Sequence, residues 1–339
     1  MIRTPHDTPP AEGQAVTVAP GVLWMRLPLP MKLDHVNVYA LEDDDGWTIV
    51  DTGFDTARAR QIWQGLLDGP LAGRPVVRVI GTHHHPDHIG LAGWFMERGA
   101  DLWMSRTAWL MARMLVLDVQ DRASPQALAF WRRAGMPGDL LERRATERPF
   151  NFADVVHPLP LGFTRLAEGD MVSFGRRRWR VAMGHGHAPC HATFWSQDDD
   201  LVIGGDQLLP AISPNLGVYP TEPLADPVGE WIDSCTRLRA LARPDQLVLP
   251  GHKLPFTGLP FRLDQLIANH HTALERLAQA LAQAPRTAVG CFDILFRRRI
   301  GEGEFGLALV EAVAHLNHLH RAGVIRPAGE TDGAVLWGA

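Results

Sequence analysis

Between Val76 and His88 the chain passes from a short, mostly β-branched run into Thr82-His83-His84-His85-Pro86-Asp87-His88. Val76–Ile80 has the character of a buried strand, and helix-forming residues follow from Ile89 to Arg98. A fold that accepts this segment must set a strand-to-helix loop full of imidazoles at one end of a sheet. Neutral imidazoles with a carboxylate are the donors that a borderline cation such as Zn²⁺ takes. His83 and His85 alternate in an extended loop, point to one side and can pinch one ion. Asp87 and His88 follow as the turn tightens and can reach a second ion beside the first.

Around that loop the pattern alternates between strands and helices. Residues 21–29, 35–41 and 47–50 read as strands, with Asp43-Asp44-Asp45-Gly46 as turn chemistry between the last two. Residues 56–67 read as an amphipathic helix, and strand patterns return at 178–182, 191–195, 201–203 and 246–249. The stretch 107–148 is helical in propensity, dense in Met, Trp and Arg, and broken at Ser124-Pro125 and Met136-Pro137-Gly138. It reads as an insertion of two or three helices, about 105–150. Another helix spans 227–241. Beyond Pro260 come a long helix (262–284), two helical segments (291–299 and 305–322) and a hairpin tip at 329–333. Helix, helix, helix and β-ribbon is the order of a winged-helix module.

H-x-H-x-D-H after a strand resembles the metallo-β-lactamase superfamily of metallohydrolases. Four further motifs stand in that family's order. Asp51-Thr52-Gly53 matches its early D-[TS]-G turn, which supports the metal loop from behind. Gly186-His187-Ala188-Pro189-Cys190-His191 is similar to its G-H-[ST]-x-x-H turn, with Ala188 in place of the hydroxyl residue. Gly205-Asp206 and Pro250-Gly251-His252 match its last two ligand turns. The tail resembles the C-terminal module of some members, including β-lactamase-like endoribonucleases.

The resemblance implies an αββα sandwich over residues 17–259 and a winged-helix-like module at 260–339, and the polar, proline-bearing segment 1–16 reads as a flexible lead-in. It further implies two divalent ions, zinc first and iron or manganese as alternatives. His83, His85 and His187 would hold one ion and Asp87, His88 and His252 the other. Asp206 would bridge them together with a water or hydroxide, and Asp87 would also act in catalysis. True β-lactamases commonly use cysteine where Asp206 stands, which argues against antibiotic hydrolysis. His84, His185 and His191 are extra imidazoles near the site. Tyr219 and His271 are candidates for substrate contact. The Met and Trp residues of the insertion (Trp109, Met111, Met114, Trp131, Met136) either pack it onto the body or line an apolar pocket.

The expected activity is hydrolysis of an ester, thioester or lactone of a small, apolar substrate, with a metal-dependent phosphodiesterase or endoribonuclease as the alternative. A net charge of −5 and the lack of a basic stripe disfavour a nucleic-acid partner. The segment 305–322 is mostly apolar with Arg321 as its sole basic residue, so it suits burial better than groove reading. Apolar residues at 46% and charged residues at 21% are ordinary for a globular chain, and no stretch approaches a membrane span. Three widely spread cysteines and no apolar leader point to a cytoplasmic protein with reduced thiols. A homodimer is a further expectation.

Overall fold

The computed structural model describes residues 1–339, which form two compact units. The first comprises Met1–Val119, Asn151–Pro214 and Leu238–Leu263. The second comprises Gln120–Phe150, Asn215–Arg237 and Asp264–Ala339.

Seven strands of the first unit make one sheet in simple chain order: β1 (Val16–Ala19), β2 (Val22–Pro28), β3 (His35–Glu42), β4 (Trp47–Val50), β5 (Val76–Ile80), β6 (Asp101–Ser105) and β7 (Thr164–Leu166). β1 to β4 pair antiparallel and β4 to β7 parallel. The connections set this switch. The acidic turn at 43–46 closes β3 on β4 as a hairpin, whereas β4 reaches β5 through α1 (Ala57–Asp68), the crossover that a parallel pair needs. A second sheet has the order β12-β11-β10-β9-β8, from β8 (Met171–Phe174), β9 (Arg177–Gly184), β10 (His191–Ser196), β11 (Leu201–Gly205) and β12 (Leu247–Pro250). All its pairs are antiparallel except β11 with β12.

Successive strand residues face opposite ways, and here both faces are buried. Met25, Leu27, Val36, Val38 and Ala40 join Trp63 and Leu66 of α1 in one core. Trp24, Tyr39 and Leu41 join Trp179, Val181 and Phe194 of the second sheet in another. The first sheet is thus covered by helices on one side and by the second sheet on the other.

The segment read as one helix, 89–98, is two short turns, α2 (Pro86–Ile89) and α3 (Ala92–Met96). The break falls at Leu91, which leaves the helical region (φ −104°, ψ 11°) and gives its N–H to the Thr52 hydroxyl, while the Gly90 carbonyl accepts from His157. A Cβ at Gly90 would stand 2.3 Å from the Gly53 carbonyl oxygen and 2.8 Å from the Asp55 nitrogen, because the chain passes against the Asp51-Thr52-Gly53 turn. The lead-in is tied down: Arg3 and Thr257 exchange backbone hydrogen bonds, and Glu12 pairs with Arg58.

The insertion is shared between the units. α4 (Arg106–Leu117) belongs to the first, and α5 (Pro125–Arg133) and α6 (Gly138–Thr146) to the second. Ser105 and Ser124 cap α4 and α5 by accepting from the Ala108 and Ala127 N–H groups, and Pro125 fits the first turn. α7 (Pro227–Arg239) and α8 (Leu259–Gln283) cross the unit boundaries. α9 (Phe292–Phe296) stops earlier than its sequence suggests, at a left-handed Arg297. α10 (Glu302–Arg321) buries Leu309, Val310, Leu316 and Leu319. β13 (Arg326–Thr331) and β14 (Ala334–Gly338) then form the hairpin around Asp332-Gly333. No helix is long and apolar enough to cross a membrane.

Candidate metal centre

Every residue of the expected ligand set lies in the first unit, just beyond a strand. His83 and His85 follow β5, with Asp87 and His88 in α2. His187 sits in the β9–β10 turn, Asp206 follows β11, and His252 follows β12. Carboxyl ends of parallel strands are where open α/β sheets present their sites. Here His83 and His85 follow β5, which pairs parallel with β4, and Asp206 and His252 follow the parallel pair β11 and β12.

The side chains converge in overlapping groups. His83, His85 and His187 form one, Asp87, His88 and His252 another, and His83 and His88 also meet Asp206. His83 Nε2 lies 2.9 Å from His85 Nδ1, which is 3.0 Å from His187 Nε2. His252 Nε2 stands 3.4 Å from Asp87 Oδ2, and His88 Nε2 stands 3.5 Å from the same atom. Asp206 spans the two sets. Its Oδ2 is 3.4 Å from His187 Nε2 and 3.3 Å from His252 Nε2, and its Oδ1 is 3.5 Å from His88 Nε2.

Buried partners fix which nitrogen of each ring is free to ligate. Asp51 accepts from the Thr82 N–H and hydroxyl, each at 2.9 Å, and from His88 Nδ1 at 2.7 Å. The Thr82 hydroxyl, already donating to Asp51, accepts from His83 Nδ1 at 3.0 Å. His252 Nδ1 donates to the His35 carbonyl at 2.7 Å. His83, His88 and His252 therefore all turn Nε2 inward, the nitrogen free to ligate once a cation displaces its proton. Thr82 and the His35 carbonyl went unnoticed in the sequence. The first was legible as the residue opening the histidine run, whereas a backbone acceptor leaves no sequence signal. Asp51, Cys190 and Lys253 adopt left-handed φ values of 61°, 53° and 70°, and such non-glycine outliers gather where function over-determines the backbone.

The electrostatics ask for cations. Burial, and then neighbouring rings, hold His83 and His85 well below the ordinary imidazole range. At His88 burial acts the same way, but Asp206, Asp87 and Asp51 outweigh it and raise the ring well above that range. Burial would raise the Asp206 carboxyl, yet His252 and His88 hold it well below the usual carboxylate range. His88 Nε2 and Asp206 Oδ1 are buried without a hydrogen-bond partner. His83 Nε2, His85 Nδ1 and His187 Nε2 face one another at 2.9–3.0 Å. This N/O donor set fits a pair of Zn²⁺-like ions.

Among the other candidates, His84 is buried, stacks near Phe152 (6.4 Å, 10°) and is held neutral, its pKa pushed by burial down to about 3. His185 Nδ1 accepts the Cys190 N–H. Trp109 stacks on Phe163 at 4.7 Å, Met136 is buried, and Met114 is exposed. Tyr219, half-exposed, and His271, exposed, belong to the second unit and are not among the clustered residues.

Residues 31–252 match the sequence model of the Metallo-beta-lactamase superfamily, and residues 274–338 match that of the metallo-beta-lactamase-like C-terminal domain. The chain is 25% identical over 308 residues to the Bacillus subtilis (strain 168) protein named "Probable metallo-hydrolase YqjP", spanning 88% of this chain and 92% of that one. A beta-lactamase domain protein from Burkholderia ambifaria shares the fold at a TM-score of 0.90 and 38% identity, over 99% of this chain and 98% of its own. For the metallo-beta-lactamase family protein TTHA1429 from Thermus thermophilus the TM-score is 0.78 at 28% identity, over 95% of this chain and 99% of that one. The family match runs across the whole ligand-bearing region, and the fold gathers those same residues in space. The chain is a metallo-hydrolase of the metallo-beta-lactamase superfamily.

Proposed function

We propose that the cluster holds two divalent cations, zinc in preference to iron or manganese, and hydrolyses an ester, thioester or lactone of a small, apolar substrate. His83, His85 and His187 hold one ion, Asp87, His88 and His252 the other, and Asp206 joins them. The observation that carries this reading is the placement of Asp206, whose two oxygens face both sets of ligands. Bound there, a pair of cations supplies a nucleophile active at neutral pH and a Lewis acid for the scissile carbonyl.

The chain's own groups do the rest. Asp51 and Thr82 lock the tautomers of His88 and His83, so the ligating nitrogens need no rearrangement before reaction. The Asp87 side chain keeps 18% exposure against 7% for Asp206. Asp87 is therefore the carboxylate that can accept a proton from the nucleophile and pass it to the leaving group or to solvent. The free thiols Cys190, Cys235 and Cys291 fit a cytoplasmic home.

Elemental analysis of gently purified protein should find two ions per chain. The zinc-loaded protein should turn over members of a panel of p-nitrophenyl esters, acyl-CoA thioesters and lactones. Cleavage of a model RNA with no turnover of any acyl substrate would replace this reading with a phosphodiesterase.

A further inference from the structure

His191 is fully buried beside the cluster and belongs to neither ligand group. Its Nε2 accepts the backbone N–H of Asp206 at 3.0 Å. A nitrogen that accepts carries no proton, so the ring holds its hydrogen on Nδ1. The ring also stacks on His83, with centroids 4.5 Å apart and planes at 22°. Space for it is reserved at Gly205, where φ is +47° and a Cβ would lie 2.6 Å from His191 Cε1 and 2.7 Å from Nε2. The glycine before Asp206 is thus required by the ring as well as by the turn.

The other side of the ring is unexplained by the ligand set. His191 Nδ1 is buried without a hydrogen-bond partner, and so are both ends of the Gln207 carboxamide, itself fully buried. Gln207 lies over Gly184, where a Cβ would meet its Oε1 at 2.2 Å. Gly184 is the residue paired with His191 across β9 and β10. Residues directly opposite on antiparallel strands project to the same face. An orphaned donor and an orphaned acceptor therefore share one face of the sheet. Each costs about 1–3 kcal/mol if left unpaired, and one buried water shared between them would satisfy both.

We propose that His191 is a positioning residue: Gln207 fixes its Nδ1–H tautomer, and its Nε2 anchors the Asp206 backbone so that the Asp206 carboxylate is aimed at both ligand groups. Its effect on metal rests on the two-ion reading above, whereas its tautomer does not.

Two measurements test this. Long-range ¹H–¹⁵N NMR of the imidazoles in zinc-free full-length protein should show His191 as the Nδ1–H form. Zinc titration against a chromophoric chelator should then compare wild type, His191→Leu and His191→Gln. Leucine removes the acceptor and should weaken the second ion by about 10–100-fold, the usual effect of losing a group that orients a ligand. Glutamine can place an oxygen near the lost Nε2 and should restore most of that affinity. An Nε2–H tautomer overturns the proposal, as does a folded His191→Leu that binds both ions as tightly as wild type. If wild type itself binds fewer than two ions, the two-ion reading fails and the NMR result alone decides the role of His191. The same NMR result decides it if the leucine variant does not fold.

Discussion

Asp51 carries a cost that its position explains. It is a non-glycine residue in the left-handed region, and its carboxylate receives donors from Thr82 and His88 at once. Asn tolerates that backbone well, so Asp51→Asn isolates the loss of charge and of one acceptor. We expect destabilisation of about 1–3 kcal/mol, read as a lower melting temperature, and roughly 10–100-fold weaker zinc binding. Unchanged zinc affinity would mean that His88 is oriented by something else. Asp206→Asn and His187→Ala act on the proposed ligands directly. Each should lower turnover by about 10²-fold or more while circular dichroism stays unchanged, because these side chains lie past the strand ends and outside both hydrophobic cores. Near-normal turnover in either would place the site elsewhere. The proposed ligands stand out in the sequence because coordination demands particular side chains at particular turns, and the fold brings those side chains together. Gln207 and the His35 carbonyl were not, since a glutamine or a main-chain oxygen has no distinctive pattern until a partner is seen beside it.

At the level of elements, long periodic segments and short buried runs are legible in the sequence, and short, partly exposed strands are not. β1, β6, β7 and β8 show no clear pattern because they are short and carry exposed residues, whereas the equally short β4, β11 and β12 are almost wholly buried runs. The single helix expected at 89–98 fails the other way, since local propensity cannot register a tertiary acceptor such as Thr52, which takes the Leu91 N–H. α8 and α10 were read from the sequence, and their packing has a measurable consequence. His270 of α8 stacks on His315 of α10 at 5.7 Å, and burial pushes the rings down to about 3 and about 4. Below pH 6.5, the ordinary histidine value, the unfolded chain gains protons that the folded one refuses. Stability should therefore be lost as pH falls from 6.5 toward 4, by up to roughly 1.4 kcal/mol per pH unit for each ring. Urea denaturation midpoints between pH 7 and 4.5 should fall less steeply in His270→Leu than in wild type. An identical slope would show that these rings do not drive the acid sensitivity.

For the whole molecule, the decisive fact is that the second unit is assembled from three separated stretches. Val289 donates to the Ala134 carbonyl, Asn317 to Pro223 and Ala225, Asn215 to Glu311, and Val218 to Val310. A chain truncated after residue 263 keeps 120–150 and 215–237 but loses the helices they pack on. It should aggregate on size-exclusion chromatography, and recovery of a monodisperse truncated protein would argue against this. The buried apolar face of α10 and the net charge of −5 also lead us to expect no salt-sensitive binding of RNA or DNA at about 1 µM, the tight end of non-specific affinity. A fluorescence polarisation titration at low salt checks this. There is a consequence for the nascent chain as well. Residues 120–150 leave the ribosome long before 264–339 exist, and with synthesis at ~5–20 residues per second they wait ~10–40 s for their last partners. During that interval α5 and α6 can only be sheltered or sticky. Slower translation or scarce chaperones should therefore reduce the yield of this protein through its second unit, however sound its metal-binding half.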